Sequence, residues 1–269
     1  MSTRESFVPS PVHAAPRANS HGEEFCGHTV QFYAEDRSLI NALTNLVGNA
    51  LRTGNAAIVI ATRPHREALT LELQSRGMDA MTAACQSRFI LLDAAETLAK
   101  FTVDGWPDAA RFTELIGGCI ARAKAASQNG DSRVVAFGEM VSLLWAQGKP
   151  EAAIQLEQLW NDLATTQSFS LRCAYPIGSF ARDEDGEPFL KICAAHSAVI
   201  PSESYTDLTT EPERLRNISH LQQKARALET EKAERQSMQR SLRLRESELA
   251  DILENAVEGV QQVGPDQII

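Results

Sequence analysis

What constrains this chain most is a regular alternation of two hydrophobic periods. Four short apolar runs read as buried strands: residues 56–61 (AAIVIA), 88–92 (RFILL), 133–137 (RVVAF) and 170–174 (SLRCA). A fifth, 29–33 (TVQFY), is less apolar. The runs are bounded by Gly, Asp, Arg or Pro, as short strands usually are. Helical patterns fill the intervals. Residues 36–52 place Leu39, Ile40, Leu43, Leu46, Val47, Ala50 and Leu51 at helical spacing, and Gly54 supplies a C-terminal stop. Residues 65–76 follow Pro64 and end at Gly77, 108–126 align Phe112, Leu115, Ile116, Cys119 and Ile120, and 150–164 open on Pro150. Residues 187–200 (EPFLKICAAHSAVI) read as an amphipathic helix, with His196 near its end in a helix-dipole role. The fold class expected is therefore α/β, a mostly parallel sheet with helices on both faces. Such sheets collect ligands along the edge formed by the loops that follow the strands.

Residues 211–257 have a different character. No Gly or Pro occurs between Glu213 and Ala256, and positions 221, 228, 235, 242, 249 and 256 are Leu, Leu, Arg, Leu, Leu and Ala. That seven-residue ladder predicts a long helix that dimerises as a coiled coil through Leu221, Leu228, Leu242 and Leu249, weak at its polar centre. Around it the chain divides into a disordered Ser-, Pro- and Ala-rich lead-in (1–25), the α/β domain (26–205) and the start of a further domain (258–269), with a helix break expected at Gly259.

Composition excludes some functions. The formal net charge is −9, which argues against a nucleic-acid face because phosphate affinity rests on clustered Lys and Arg. No apolar run approaches the roughly 20 residues needed to cross a bilayer. Five scattered cysteines without CxxC spacing fit a reducing cytoplasm.

The first strand–loop–helix has the layout of a phosphate-binding loop, but its loop reads FYAEDRSL, without glycine and with two acidic residues. Phosphate is repelled there, which argues against ATP hydrolysis. In HTVQFY, Gln31 and Tyr33 share one strand face opposite Phe32, and His28 joins them as a pocket candidate. Cys26 and His28 offer a thiol and an imidazole two apart, but two ligands do not make a metal site, and none is assigned. Glu139 follows a strand directly and stands on the expected ligand edge, where Gly138 permits a sharp turn. It reads as a recognition or switch residue facing His28 and Tyr175, with Arg172 a further possible partner. Cys173, Tyr175 and Pro176 end another strand on the same edge and complete a concave site.

Taken together, HTVQFYAEDRSLINAL, VVAFGEMVSLLWAQG, AAIQLEQLWNDLA, SLRCAYP and ICAAHSAVIPSESYT resemble the MEDS family, the methanogen/methylotroph sensory domain. The resemblance implies a RecA-like α/β domain without a P-loop that senses small hydrocarbon derivatives in sensor kinases and transcriptional regulators. It maps the family's recurrent positions onto His28, Phe32, Tyr33, Glu139, Met140, Trp145, Cys173, Tyr175 and Pro176. The tail ADILENAVEGVQQVGPDQII is similar to the opening of a PAS domain, as in MEDS–PAS sensor histidine kinases.

The expectation is thus a cytoplasmic sensory input module. Its ligand-binding residues are His28, Gln31, Phe32, Tyr33, Glu139, Met140, Trp145, Cys173 and Tyr175, with no catalytic residue. A small-molecule signal at the loop edge is relayed through a homodimeric helix to a PAS/kinase output beyond Ile269, without nucleic acid or membrane as partner. The sequence names no cofactor. Rival readings are a degenerate RecA-like nucleotide-binding protein or ATPase, a ligand-free interaction scaffold, and a metal or redox sensor using Cys26, His28 and Cys173.

Overall fold

The computed structural model describes residues 27–78, 80–128, 133–203 and 210–261. The expected lead-in, Cys26, Tyr205 and residues 262–269 lie outside them. The chain separates into two units, Met1–Glu203 and Ser204–Ile269.

The first unit is built on six strands: β1 (His28–Tyr33), β2 (Ala56–Ala61), β3 (Phe89–Asp93), β6 (Val134–Gly138), β7 (Ser170–Pro176) and β8 (Ala198–Ile200). They form one sheet in the order β3-β2-β6-β7-β1-β8, with every pairing parallel. A two-stranded ribbon, β4 (Thr102–Val103) and β5 (Trp106–Pro107), stands apart.

Period-2 alternation splits the core cleanly. Val30, Phe32, Ile58, Ile60, Ala136, Leu171, Cys173 and Tyr175 pack on one face, beneath α4 (Ala94–Phe101), α5 (Ala109–Ala126), α6 (Met140–Ala146), α7 (Pro150–Thr166) and α8 (Gly186–Ala195). Tyr33, Ala57, Val59, Val135, Phe137 and Ala174 pack on the other, beneath α1 (Asp36–Arg52), α2 (Arg63–Ser75) and α3 (Ala80–Cys85). Both faces are buried, which is why the strands read as continuous apolar runs.

Helix ends follow local chemistry. Asp93 caps α4 by accepting from Ala95 N and Glu96 N at 2.9 and 3.0 Å, and Asp108 caps α5 through Arg111 N at 2.9 Å. Gly54 and Gly77 follow α1 and α2 at φ +77° and +68°, a region where a β-carbon is strained.

Two expectations need correction. The segment expected to be helical through residue 200 leaves the helix at Ala195 and adds β8 beside β1. The β-branched Val199 and Ile200 find a free strand edge there, and Ser197 N donates to His28 O at 2.7 Å to start the pairing. The second unit's helix, α9 (Glu211–Gln261), runs 51 residues and passes through Gly259. One helical glycine costs only about 1 kcal/mol relative to alanine and does not break a helix that long.

Candidate functional site

Two buried polar groups stand out, each built around one carboxylate.

The first lies at the carboxyl edge of the sheet. From β2 the chain turns to α2 on one face and reaches β3, whereas from β6 it turns through α6 and α7 on the opposite face and reaches β7. Because β2 and β6 are neighbours, the loops after them diverge, and a crevice opens at such a switch point. Glu139 spans it. Its backbone N donates to Ile60 O at 2.9 Å, and its Oε2 accepts from Thr62 N at 2.7 Å. Its Oε1 is hydrogen-bonded with His65 Nδ1. His65 Nε2 points on to Asp36 Oδ1 at 3.4 Å, and the Tyr33 ring stands edge-on to the imidazole with centroids 6.1 Å apart. The hydrogen bond His65 makes to the Glu139 carboxylate raises the His65 pKa against the opposing effect of burial, and Asp36 adds to it. Burial, then the charges of Glu139 and Asp36, pushes the Tyr33 phenol well up.

The start of α1 closes this edge. The amides of Ala34 and Glu35 stand in the loop between β1 and α1. Both donate to the Glu203 carboxylate, Ala34 N at 2.9 Å to Oε2 and Glu35 N at 2.7 Å to Oε1. Burial pushes the Glu203 carboxyl up, but its backbone hydrogen bonds outweigh this and hold it below its ordinary value.

The second group lies under the opposite face, between β1, β7, α7 and the turn from α8 into β8. Glu157 is fully buried there. Tyr175 donates its hydroxyl to Glu157 Oε1 at 2.8 Å, and the Cys173 thiol faces Oε2 at 3.2 Å. His28 Nε2 stands 3.1 Å from the same Oε2 and 3.2 Å from Cys173 Sγ, and His196 Nε2 lies 3.4 Å from Oε2. Burial pushes the Glu157 carboxyl up, but His196 and His28 outweigh it and hold the group well below the usual carboxylate range. Burial and the Glu157 charge push the Cys173 thiol and the Tyr175 phenol up. Burial lowers the pKa of His196, and Glu157 more than restores it. An open cleft of about 410 Å³, lined by His28, Trp160, Asn161, Phe169, His196 and Ser197 among others, runs alongside this group.

The sequence-named residues therefore fall into separate environments. Tyr33 and Glu139 join the crevice, while His28, Cys173 and Tyr175 join the Glu157 group. Phe32, Met140 and Trp145 are core, with Phe32 against Phe180 and Phe189, and Trp145 Nε1 donating to Ser179 O at 2.9 Å. Gln31 accepts from Arg172 Nη1 at 3.4 Å, and Pro176 pairs with Tyr33 in the sheet.

The expected facing of Glu139 with His28 and Tyr175 does not occur. Glu139 bonds to His65 and Thr62 on the α2 side, while His28 and Tyr175 both turn to Glu157 under the other face. Strand alternation is the reason: His28 and Tyr175 share the face of Phe32, opposite Tyr33. Nor does Arg172 reach Glu139; its hydrogen bond is to Gln31. Gly138 is an ordinary strand residue, and a β-carbon there would meet only Trp160 at 3.9 Å.

Sequence reasoning missed Glu157, His65 and Asn161 and undervalued His196. The Nδ1 of His196 does meet a last-turn carbonyl, Ile192 O, at 2.6 Å, but the ring also faces Glu157. The available signal was Glu157 itself, a carboxylate on the inward helical row of Ala153, Leu156, Trp160 and Leu163.

A family model described as MEDS, the methanogen/methylotroph, DcmR sensory domain, matches residues 27–196. No curated protein matches. Among solved structures, the chain is similar to a KaiC-like protein, PH0186, from the archaeon Pyrococcus horikoshii OT3. The identity is 14% and the TM-score 0.38, over 60% of this chain and 68% of that one. With more than half of its length matched by the family model, and with both buried polar groups built within or beside the matched span, this chain belongs to the MEDS family of sensory domains.

Proposed function

We propose that this chain is the input part of a cytoplasmic signal-transduction protein, in which the crevice around Glu139 recognises a small polar hydrocarbon derivative. One observation carries the reading. A buried carboxylate ties together the two loops that diverge at the switch point, and it does so through a histidine whose second nitrogen faces outward to Asp36. A ligand that engages His65, Asp36 or Tyr33 changes how those loops are held.

The route to output starts at the same edge. Glu203, the last residue of the first unit, is held by the amides of Ala34 and Glu35 beside Asp36. A ligand with different affinity for the bound and released states of Glu203 biases the segment that leaves the domain there. In this reading α9 carries the change as a homodimeric coiled coil through Leu221, Leu228, Leu242 and Leu249, toward a PAS/kinase output. The nucleotide-binding alternative is disfavoured, because the amides a phosphate needs already hold a carboxylate.

A thermal-shift screen of the full chain against small alcohols, aldehydes and carboxylates tests the reading. A ligand selective for the folded state raises the melting temperature by mass action. Hits that stabilise the Glu139→Gln chain as much as the wild type place the ligand elsewhere.

A further inference from the structure

We propose that His28, Glu157, Cys173 and His196 form a tetrahedral site for a divalent transition metal of the zinc type. The inference is independent of the crevice reading and uses none of its residues.

The four ligating atoms lie within 4.8 Å of one another, and all four residues are buried. Four of the six separations are 3.1, 3.2, 3.2 and 3.4 Å. Metal–nitrogen and metal–oxygen bonds of about 2.0–2.1 Å and a metal–sulfur bond of about 2.3 Å place tetrahedral ligand atoms about 3.3–3.6 Å apart. The pocket is therefore already close to the size the ion requires.

Proton placement points the same way. Asn161 Nδ2 donates to Ala195 O at 2.9 Å, so the Asn161 atom facing His28 Nδ1 at 2.8 Å is an acceptor. His28 Nδ1 accordingly carries a proton, and its Nε2 presents a lone pair inward when the ring is neutral. His196 Nδ1 donates to Ile192 O at 2.6 Å, which leaves its Nε2 in the same condition. That Nε2 is buried, and beyond the Glu157 oxygen 3.4 Å away it has no hydrogen-bond partner among the described residues. With both rings neutral, two imidazole lone pairs, a carboxylate oxygen and a sulfur converge on one buried space. A cation satisfies all four.

The charge also balances. A divalent ion with one carboxylate, one thiolate and two neutral imidazoles is net neutral, as a buried site requires. On binding, the metal–sulfur bond replaces the S–H bond and the thiol proton leaves to solvent, together with any proton on either Nε2. Thiolate with imidazole favours zinc and its neighbours over magnesium or calcium. Outer contacts hold the ligands in place: Asn161 on His28, Ile192 O on His196, and Tyr175 on the second oxygen of Glu157. The cleft that passes His28, Asn161 and His196 supplies the access route.

The test uses the full chain, stripped with EDTA and desalted, then titrated with Zn(II) against a chromophoric chelator and separately with Co(II). The expected result is one equivalent bound, with a Co(II) spectrum showing intense four-coordinate d–d bands and a thiolate-to-cobalt charge-transfer band. Cys173→Ser removes the charge-transfer band. Asn161→Leu, a milder change at the cleft wall, weakens zinc by about 10–100-fold while circular dichroism stays unchanged. Failure of the wild-type chain to take up a stoichiometric ion overturns the proposal. So does a Cys173→Ser chain that keeps the wild-type cobalt spectrum, or an Asn161→Leu chain that keeps wild-type affinity.

Discussion

Glu139 and Glu157 are buried carboxylates that serve opposite faces of one sheet, Glu139 gripping His65 from α2 and Glu157 facing His28 and His196 beneath α7 and α8. Neither charge is bare. The two differ in what they join: Glu139 connects two divergent loops at the carboxyl edge, whereas Glu157 gathers side chains from β1, β7 and the α8–β8 turn.

Glu157 is the more costly of the two to lose. In the metal-free protein its removal strands His28, His196 and the Tyr175 hydroxyl together in a buried space. Glu157→Ala should destabilise the fold by about 3–5 kcal/mol, the usual cost of breaking a buried charged group on one side. Urea unfolding in EDTA checks this, and a loss under about 1 kcal/mol would mean that the histidines are not organised by Glu157.

His65 carries a pH dependence. Its pKa is raised in the folded protein, chiefly by Glu139, above an unfolded value of about 6.5. The stability it contributes is therefore fully present below about pH 6.5 and fades as pH rises through the higher folded value. Melting temperatures between pH 5.5 and 9 should fall more steeply with rising pH in the wild type than in His65→Gln. Parallel curves would contradict the assignment.

The leucine ladder of α9 is exposed, Leu221 at 52%, Leu228 at 64%, Leu242 at 52% and Leu249 at 60%. A helix with so much bare leucine along one seven-residue ladder is expected to pair with a second copy. Sedimentation should show a concentration-dependent dimer that Leu242→Lys abolishes and Arg235→Leu tightens. A monomer at all concentrations would remove the dimeric relay.

The free cysteines should differ sharply in reactivity. Cys85 is exposed, whereas Cys173 is buried with its thiol pKa pushed well up. Brief iodoacetamide treatment in EDTA, read by peptide mass spectrometry, should modify Cys85 and leave Cys173 intact until denaturant is added. Equal labelling would show that the Glu157 group is open to solvent.

Much of the fold was legible because both faces of the sheet are covered. AAIVIA and RVVAF carry the strand signal in their apolar content alone, and Gly54 and Gly77 mark real helix ends. The β4–β5 ribbon escaped, although Asp104-Gly105 stands at its turn with φ +50° and +85°, a tight-hairpin signature. β8 escaped because three residues fixed by pairing with β1 carry no period of their own. For the site, strand ends placed Glu139 on the correct edge, but partners come from three-dimensional packing. His65 sits within an ordinary helix and meets Glu139 only when β2 and β6 are neighbours. Glu157 was legible in principle, as the single carboxylate on an inward apolar row.

The central claim is that a small molecule is recognised at the crevice Glu139 organises. Its most direct test is isothermal titration of the full chain, wild type and Glu139→Gln, with compounds that raise the wild-type melting temperature. The account predicts a loss of at least about tenfold in affinity, some 1.4 kcal/mol, with secondary structure preserved by circular dichroism. Affinity that survives Glu139→Gln unchanged would contradict it.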